Sequence, residues 1–223
     1  MTALQNQHIP TEAEAEADVT AGFRDAMGQL ATGVVMVTCY VDGRPWGLTV
    51  SACCSVSVSP PLLLVSLSKQ TASAQAIADD GRFGVSILGE ALIDVARFGS
   101  AKGQPKWVAE FCRDDPGRSA AWTTPAVARA IAHIDCTVEQ SMLAGDHVIF
   151  VGSVRDVIAH PGDQPLVYHS RGYHRLGTST DLHVGPIVDE TIDSLLYDYP
   201  MPRAFSRIDG DLPRVAASVA NAS

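Results

Sequence analysis

From Val34 onward the apolar positions take on an extended rhythm. VVMVTCY (34–40) is apolar and β-branched, Asp42-Gly43 is a hairpin signal, and WGLTVSACCSVSVS (46–59) alternates over more than ten residues. The pattern predicts two antiparallel strands. Pro60-Pro61 closes the second, LLLVSLS (62–68) reads as a strand buried on both faces at its start, and RFGVSIL (82–88) reads as another. A long loop region containing Gly, Pro and Trp fills 99–128. IAHIDCTVEQSML (131–143) and HVIFVGSVRDVIAH (147–160) then resume the series, and a closing pair falls around PLVYH (165–169) and YHRLG (173–177).

Helical spacing is confined to short pieces. Phe23, Met27 and Leu30 fall at i, i+4 and i+7 and predict a docking helix beginning near Gly22. Thr71 through Ala78 reads as a brief helix, capped by Thr71 or a nearby serine and ended by Asp80-Gly81. ALIDVARF (91–98) reads as another, with Leu92, Val95 and Ala96 inward. Six or seven strands at short spacing, joined by hairpin signals and without a repeating βα unit, predict a mainly β, closed antiparallel barrel. Residues 1–20 are polar and lack an apolar period, so they read as a flexible arm. The barrel domain then spans 21–177. Residues 178–223 form an extension that mixes a weakly helical patch (Ile187 to Leu196) with Pro200 and Pro202.

Composition narrows the class. Of 223 residues, 46% are hydrophobic and 18% charged, enough apolar material for a core and incompatible with a wholly disordered chain. Apolar runs such as PLLLV (61–65) are far too short for a membrane helix. Five cysteines, two of them adjacent (Cys53, Cys54), form no CxxC pair and follow no leader-like segment. They point to a reducing cytoplasm and away from a disulfide framework or a metal site. The net charge is −9, but residues 1–20 hold four acids and no base and 178–223 hold seven acids against three bases, so the tails carry −8 of it. The nearly neutral body has no field to steer nucleic acid or an anionic membrane, which leaves small molecules and copies of the same chain as partners.

Four features carry candidate chemistry. Along 46–59, Thr49, Ser51, Cys53, Ser55, Ser57 and Ser59 share one face and Leu48, Val50, Ala52, Cys54, Val56 and Val58 the other. A hydroxyl face with no charge suits a planar heterocycle, although Ser and Thr also occupy the wet face of half-buried strands. The next strand ends Ser66-Leu67-Ser68-Lys69 and runs into a helix start holding Thr71 and Ser73, where unpaired N–H groups and the helix dipole offer a phosphate cradle or an ordinary cap. His147 follows the Gly145-Asp146 turn at a barrel rim, poised for a ligand edge or satisfied by Asp146. Tyr168, His169, Arg171, Tyr173 and His174 form an aromatic and basic cluster, either a lid over a ring or a subunit contact. A nucleophilic role for Cys53 or Cys54 lacks a neighbouring histidine. No nucleophile elbow, HExxH, GxGxxG or P-loop is present, which is compatible with hydride transfer between two bound heterocycles, where orientation matters more than a protein acid or base.

The strings FRDAMGQLATGVVMVT (23–38), GLTVSACCSVSVSPPLLLVSL (47–67), FGVSIL (83–88), ARFGS with Lys106-Trp107, GDHVIFVGSV (145–154) and PLVYHSRGYHRL (165–176) together resemble the short-chain flavin reductases, the reductase components of two-component flavin-dependent monooxygenases. The resemblance covers about 21–177. It implies a Greek-key split β-barrel, a homodimer, flavin (FMN or FAD) near the subunit interface, NADH or NADPH as reductant, and a transient oxygenase partner. By position it implies that Thr49, Val50, Ser51 and Ser55 line the isoalloxazine and ribityl chain. Ser66, Leu67, Ser68 and Ser73 take the phosphate side; Arg97, Phe98 and Lys106 hold the flavin or its tail; and His147, the one catalytic candidate, lies by the nicotinamide with Tyr168 and Tyr173. Cys53-Cys54 departs from a more usual Phe-containing stretch, Gly99 stands where Ala is frequent, and the 46-residue tail exceeds that of a minimal member. A pyridoxamine-phosphate-oxidase-like catalyst would need several Arg and Lys on the barrel wall, and positions 46–68 carry none. A non-catalytic flavin or haem-utilisation-like carrier is the third reading of the same barrel.

Overall fold

The computed structural model describes residues 11–112, 122–160 and 164–177. The patch Ile187 to Leu196 and the rest of the extension lie outside the described residues. In chain order the elements are α1 (Glu12–Gly28), β1 (Thr32–Gly33), β2 (Val35–Val41), β3 (Arg44–Val50), β4 (Cys53–Val58), β5 (Pro61–Ser68), α2 (Ala72–Asp80) and β6 (Arg82–Ile87). They continue with α3 (Ile93–Ser100), β7 (Ala132–Ala144), β8 (His147–Ala159), β9 (Leu166–His169) and β10 (Gly172–Arg175). All strand pairs are antiparallel. Seven strands form one sheet in the order β3-β2-β6-β7-β8-β5-β4, and β1, β9 and β10 form a small second sheet. The mainly β, antiparallel architecture expected from the alternation is therefore what the chain adopts.

Turn chemistry explains the register. Asp42 (φ 49°) and Gly43 (φ 70°) both take the left-handed conformation of a two-residue hairpin turn, so Val41 pairs with Arg44 and the β2–β3 register follows. Gly145 (φ 62°) turns the chain between β7 and β8 and sets Ala144 opposite His147. The β9–β10 turn uses Ser170 (φ 48°) and Arg171 (φ 62°), two residues that reach this conformation less readily than glycine. Contacts to α1 hold it there: the Ser170 N–H donates to the Gly28 carbonyl at 2.8 Å and Arg171 pairs with Asp25 at 2.8 Å.

β2 is apolar on both faces because both are buried. Val35, Val37 and Cys39 enter a core with Val65, Leu67, Ile77, Phe83, Val85 and Phe150. Val34 and Met36 enter a second core, beneath α3, with Leu88, Ala96, Val108 and Leu166. The second core is closed by loop 122–130, pinned by buried Asp135, which accepts from the Thr123 N–H, the Thr123 hydroxyl and the Thr124 hydroxyl. A buried carboxylate supplied with several donors avoids the penalty of an unpaired one.

Two expectations are corrected. The first helix begins at Glu12, about ten residues before Gly22, and its Phe23 and Met27 stand exposed, Phe23 at 64%, instead of docking on the body of the same chain. The alternation over 46–59 is not one strand. It breaks at Ser51-Ala52, and β3 and β4 lie at opposite edges of the seven-stranded sheet. In β4 the expected faces are inverted: Cys53 and Ser57 are half-buried, while Cys54, Val56 and Val58 are exposed, Val58 at 90%. A register shift between Ser55 and Ser57 accompanies the change.

The structure also accounts for glycine at position 99. A Cβ there would lie 2.2 Å from Thr49 Oγ1, 2.6 Å from Met36 Cε and 3.0 Å from the Thr49 backbone nitrogen. Gly99 lets α3 approach β3 that closely. Gly99→Ala is expected to cost about 1–3 kcal/mol by overpacking and to displace Thr49. A denaturant midpoint equal to that of the wild type would show that α3 yields without strain.

Candidate functional site

A groove of about 1120 Å3 opens where the two sheet edges meet. β3 ends in it with Thr49, Val50 and Ser51, and Ala52 continues the wall. The Ser66 N–H donates to the Ala52 carbonyl at 3.0 Å, which ties this corner to β5. β5 contributes Ser66, Leu67 and Ser68 and leads directly into the start of α2.

That start is built for hydrogen bonding. Thr71 is the N-cap: its hydroxyl donates to the Ser68 carbonyl at 2.8 Å and accepts from the Ala74 N–H at 3.2 Å. The N–H groups of Ala72 and Ser73, the first two helical residues, lie outside the helix's own ladder, at the positive end of its dipole. Gly81 (φ 72°) closes the far end, its N–H donating to the Ile77 carbonyl. Ser73 is fully buried, its Oγ beside the Cys39 thiol and without an oxygen or nitrogen partner; Thr49 Oγ1 is buried without a partner. Both residues line the groove. Unsatisfied buried hydroxyls are uncommon, and two in one groove wall mark it as a surface shaped for a ligand.

The opposite wall comes from loops. Lys106 Nζ donates to the Phe98 carbonyl at 3.1 Å, at the end of α3, and burial pushes its ammonium below the usual lysine range. Its backbone carbonyl accepts from the Gly47 N–H at 3.0 Å, fastening the loop to β3. Tyr173 donates to the Ala96 carbonyl at 3.3 Å and packs edge-on against Tyr168 at 5.4 Å, which brings β9 and β10 over the groove. His147, opposite Ser68 in the β5–β8 register, completes the rim. Its Nδ1 lies 2.7 Å from Asp146 Oδ1, and this hydrogen bond is the chief reason the Asp146 carboxyl is held below the usual carboxylate range. The Asp146 contact noted as an alternative for His147 is therefore present, and a carboxylate, which can only accept, calls for the proton on Nδ1.

Of the residues singled out in the sequence, Thr49, Val50, Ser51, Ser66, Leu67, Ser68, Ser73, Lys106, His147, Tyr168 and Tyr173 meet in this groove. Ser55, Arg97 and Phe98 do not line it. Ser55 sits exposed on β4, Arg97 pairs with Asp94 at 3.4 Å on the outer face of α3, and Phe98 contributes through its carbonyl. Arg171, named in the sequence as part of the aromatic and basic cluster, also lines the groove, whereas sequence reasoning missed Trp46, Lys102 and Gln104. Trp46 stands on β3 itself, whereas Lys102 and Gln104 come to the groove only because loop 101–106 docks onto β3, and no local pattern announces that. The described lining contains Lys102, Lys106 and Arg171 and no carboxylate, so the groove favours an anionic ligand with an uncharged, hydrogen-bonding ring.

These features define a class of protein: an antiparallel β scaffold whose groove combines neutral hydroxyls, a helix start and, among the described lining residues, cations. The chain belongs to the family described as "Flavin reductase like domain", whose model matches residues 27–177. It is 38% identical over 167 residues to the flavin reductase (NADH) of Kitasatospora aureofaciens, covering 71% of this chain and 83% of that protein. It is 34% identical over 154 residues to the flavin-dependent monooxygenase reductase subunit HsaB of Mycobacterium tuberculosis, covering 68% and 79%. Among solved structures it resembles BorF, the flavin reductase component of a bacterial two-component tryptophan halogenase, with TM-score 0.63 and 33% identity, covering 70% of this chain and 98% of that one. It also resembles an NADH:FAD oxidoreductase of Streptomyces globisporus solved with NAD and FAD fragments, with TM-score 0.65 and 26% identity, covering 74% and 96%.

Thiol chemistry has little place in this site. Burial pushes the Cys53 thiol up to about 11 and those of Cys39 and Cys136 up to about 12, so all three stay protonated, and poorly nucleophilic, across the neutral range. Iodoacetamide at pH 8 is expected to modify exposed Cys54 in the folded protein and to spare Cys39, Cys53 and Cys136 until denaturant is added. Peptide mass spectrometry reads the outcome, and rapid native labelling of Cys53 would contradict it.

Proposed function

We propose that this chain is an NAD(P)H:flavin oxidoreductase: it binds a nicotinamide nucleotide and free FMN or FAD, passes a hydride to flavin N5, and releases reduced flavin to a separate oxygenase component. The observation that carries the reading is the groove lining, in which the charged side chains among the described residues are cations and whose neutral wall runs into a helix start. Flavin nucleotides and nicotinamide nucleotides are both phosphate anions joined to hydrogen-bonding rings, which is the combination such a surface recognises.

The flavin supplies the two-electron acceptor; the protein residues bind and orient. Thr49, Val50 and Ser51 hold the ring and ribityl chain, with the unpaired Thr49 hydroxyl offering one contact. Ser66, Leu67, Ser68 and Ser73 take the phosphate at the α2 N-terminus, with Lys106 adding positive charge from the opposite wall. His147, its orientation fixed by Asp146, contacts the nicotinamide nucleotide beneath Tyr168 and Tyr173. Orientation is the main contribution expected of the protein, because the redox chemistry belongs to the two heterocycles.

The working unit is a homodimer on this reading. Phe23 and Met27 on α1, and Val56 and Val58 on edge strand β4, are exposed apolar side chains that a second copy would cover. A cytoplasmic location fits the unbridged thiols of Cys39, Cys53, Cys54 and Cys136. Among the described residues no helix is long and apolar enough to cross a membrane.

The test is aerobic oxidation of NADH and NADPH by the full chain, with and without FMN or FAD. Flavin-dependent turnover with at least one pair is expected, and no flavin-dependent rate with any pair would end the proposal. In the same assay His147→Ala should lower kcat/KM for the nicotinamide nucleotide about tenfold or more while flavin affinity falls much less. Equal losses in both would refute the placement of His147.

A further inference from the structure

One part of the groove is left over once ring, ribityl chain and first phosphate are placed. Trp46 lines the groove and is half-buried. In the β2–β3 register it stands opposite Cys39, so the two side chains share a face of the sheet, and Cys39 in turn lies beside Ser73 in the first turn of α2. The indole is therefore on the sheet face that α2 covers, close to the helix start.

The indole does not stand alone. An isolated antiparallel bridge pairs Trp46 with Trp107, and their rings meet edge to face, centroids 4.7 Å apart at 90°. Arg44, two residues before Trp46 on the same face of β3, lays its guanidinium 4.0 Å from the centroid of the Trp107 ring. Backbone hydrogen bonds from Gly47 to Lys106 and from Val108 to Pro45 fix the two indoles against each other. The same loop presents Lys102 and Gln104 to the groove. A supported aromatic surface with a cation nearby, adjoining a phosphate cradle, has the chemistry that stacks a nucleobase and neutralises the phosphate leading to it.

We propose that Trp46, backed by Trp107 and Arg44, stacks the adenine of FAD, and that this contact makes the enzyme prefer FAD to FMN. The inference rests on the reading of the groove as a flavin site. An FMN molecule ends at the α2 start and gains nothing from the indoles, whereas the second phosphate, ribose and adenine of FAD continue toward Lys102 and Trp46.

The experiment is steady-state kinetics of the full chain with NADH saturating, measuring KM for FAD and for FMN in the wild type, Trp46→Leu and Arg44→Ala. Wild type should show the lower KM for FAD. Trp46→Leu should raise the ratio KM(FAD)/KM(FMN) about tenfold, and Arg44→Ala should move it less, in the same direction. Should Trp46→Leu fold poorly by circular dichroism, Arg44→Ala and a titration of wild type with ADP alone decide the matter, ADP being expected to quench tryptophan fluorescence and to raise the apparent KM for FAD but not for FMN. Equal KM values for the two flavins in the wild type, or parallel rises in the variants, would overturn the inference while leaving flavin reduction intact. An unchanged flavin ratio with a raised KM for NADH would also overturn it, by giving the adenine to the nicotinamide nucleotide. No turnover with either flavin in the wild type would overturn the flavin reading and this inference together.

Discussion

Everything on the ligand side of the molecule depends on the chain leaving one sheet edge at Val50 and entering the other at Cys53. β3 pairs with β2 and β4 pairs with β5, so the two residues between them, Ser51 and Ala52, join opposite edges of a seven-stranded sheet. One hydrogen bond, from the Ser66 N–H to the Ala52 carbonyl, holds the corner to β5. The opening left between the edges is the groove, and the hydroxyls at its wall are those nearest the corner. A continuous ladder through 46–59 would have closed the sheet differently and left no such opening.

The same corner explains where the sequence was legible. The strands, their hairpins and the cap of α2 rest on local chemistry: β-branched runs, Asp42-Gly43, Gly145, Thr71 and Gly81 each constrain only their neighbours. Those signals are visible in the residues themselves. The break at Ser51-Ala52 is different, because nothing in an unbroken alternation of small and apolar residues marks a change of sheet edge. Three of the five hydroxyls on the supposed wall, Ser55, Ser57 and Ser59, together with the Cys53 thiol, consequently do not line the groove, and Val56 and Val58 reach the surface. Loop 101–106 was equally opaque. Lys102 and Gln104 join the site only because Lys106 and Val108 bond back onto β3, and a long-range backbone contact leaves no periodic trace in sequence.

Charge is arranged by the same division of labour. The strands that form the wall carry hydroxyls and aliphatic groups, and every cation in the lining arrives on a loop or turn: Lys102 and Lys106 after α3, Arg171 between β9 and β10. A pyridoxamine-phosphate-type site would place its cations on the wall itself. With the cations at the margins, the centre of the groove stays uncharged, which suits a neutral ring system, while the cations are placed for short-range contact with a phosphate. Loops also tolerate change better than paired strands, so the anion-binding margin is free to vary while the ring wall keeps its form.

The groove is held in a state that costs stability. Thr49 Oγ1 is buried without a partner, Ser73 Oγ has only the Cys39 thiol beside it, the Lys106 ammonium is desolvated, and Ser170 and Arg171 occupy left-handed backbone conformations. Each is unfavourable by an amount on the order of 1 kcal/mol or more, and a fold selected only for stability would have removed them. Their neighbours keep them in place: Gly99 against Thr49, the Phe98 carbonyl on Lys106, and Asp25 and the Gly28 carbonyl on the β9–β10 turn. A ligand that donates to or accepts from the two hydroxyls and brings a phosphate to Lys106 removes several of these penalties at once. It therefore binds a surface already organised to receive it, and less of its interaction energy goes into ordering the protein. Thr32 Oγ1 is also buried without a partner and Asp42 and Arg129 also take left-handed conformations away from the groove, but Thr49, Ser73, Lys106 and Arg171 all line it, and that convergence is the physical reason to regard this opening as the site of function instead of a gap in the fold.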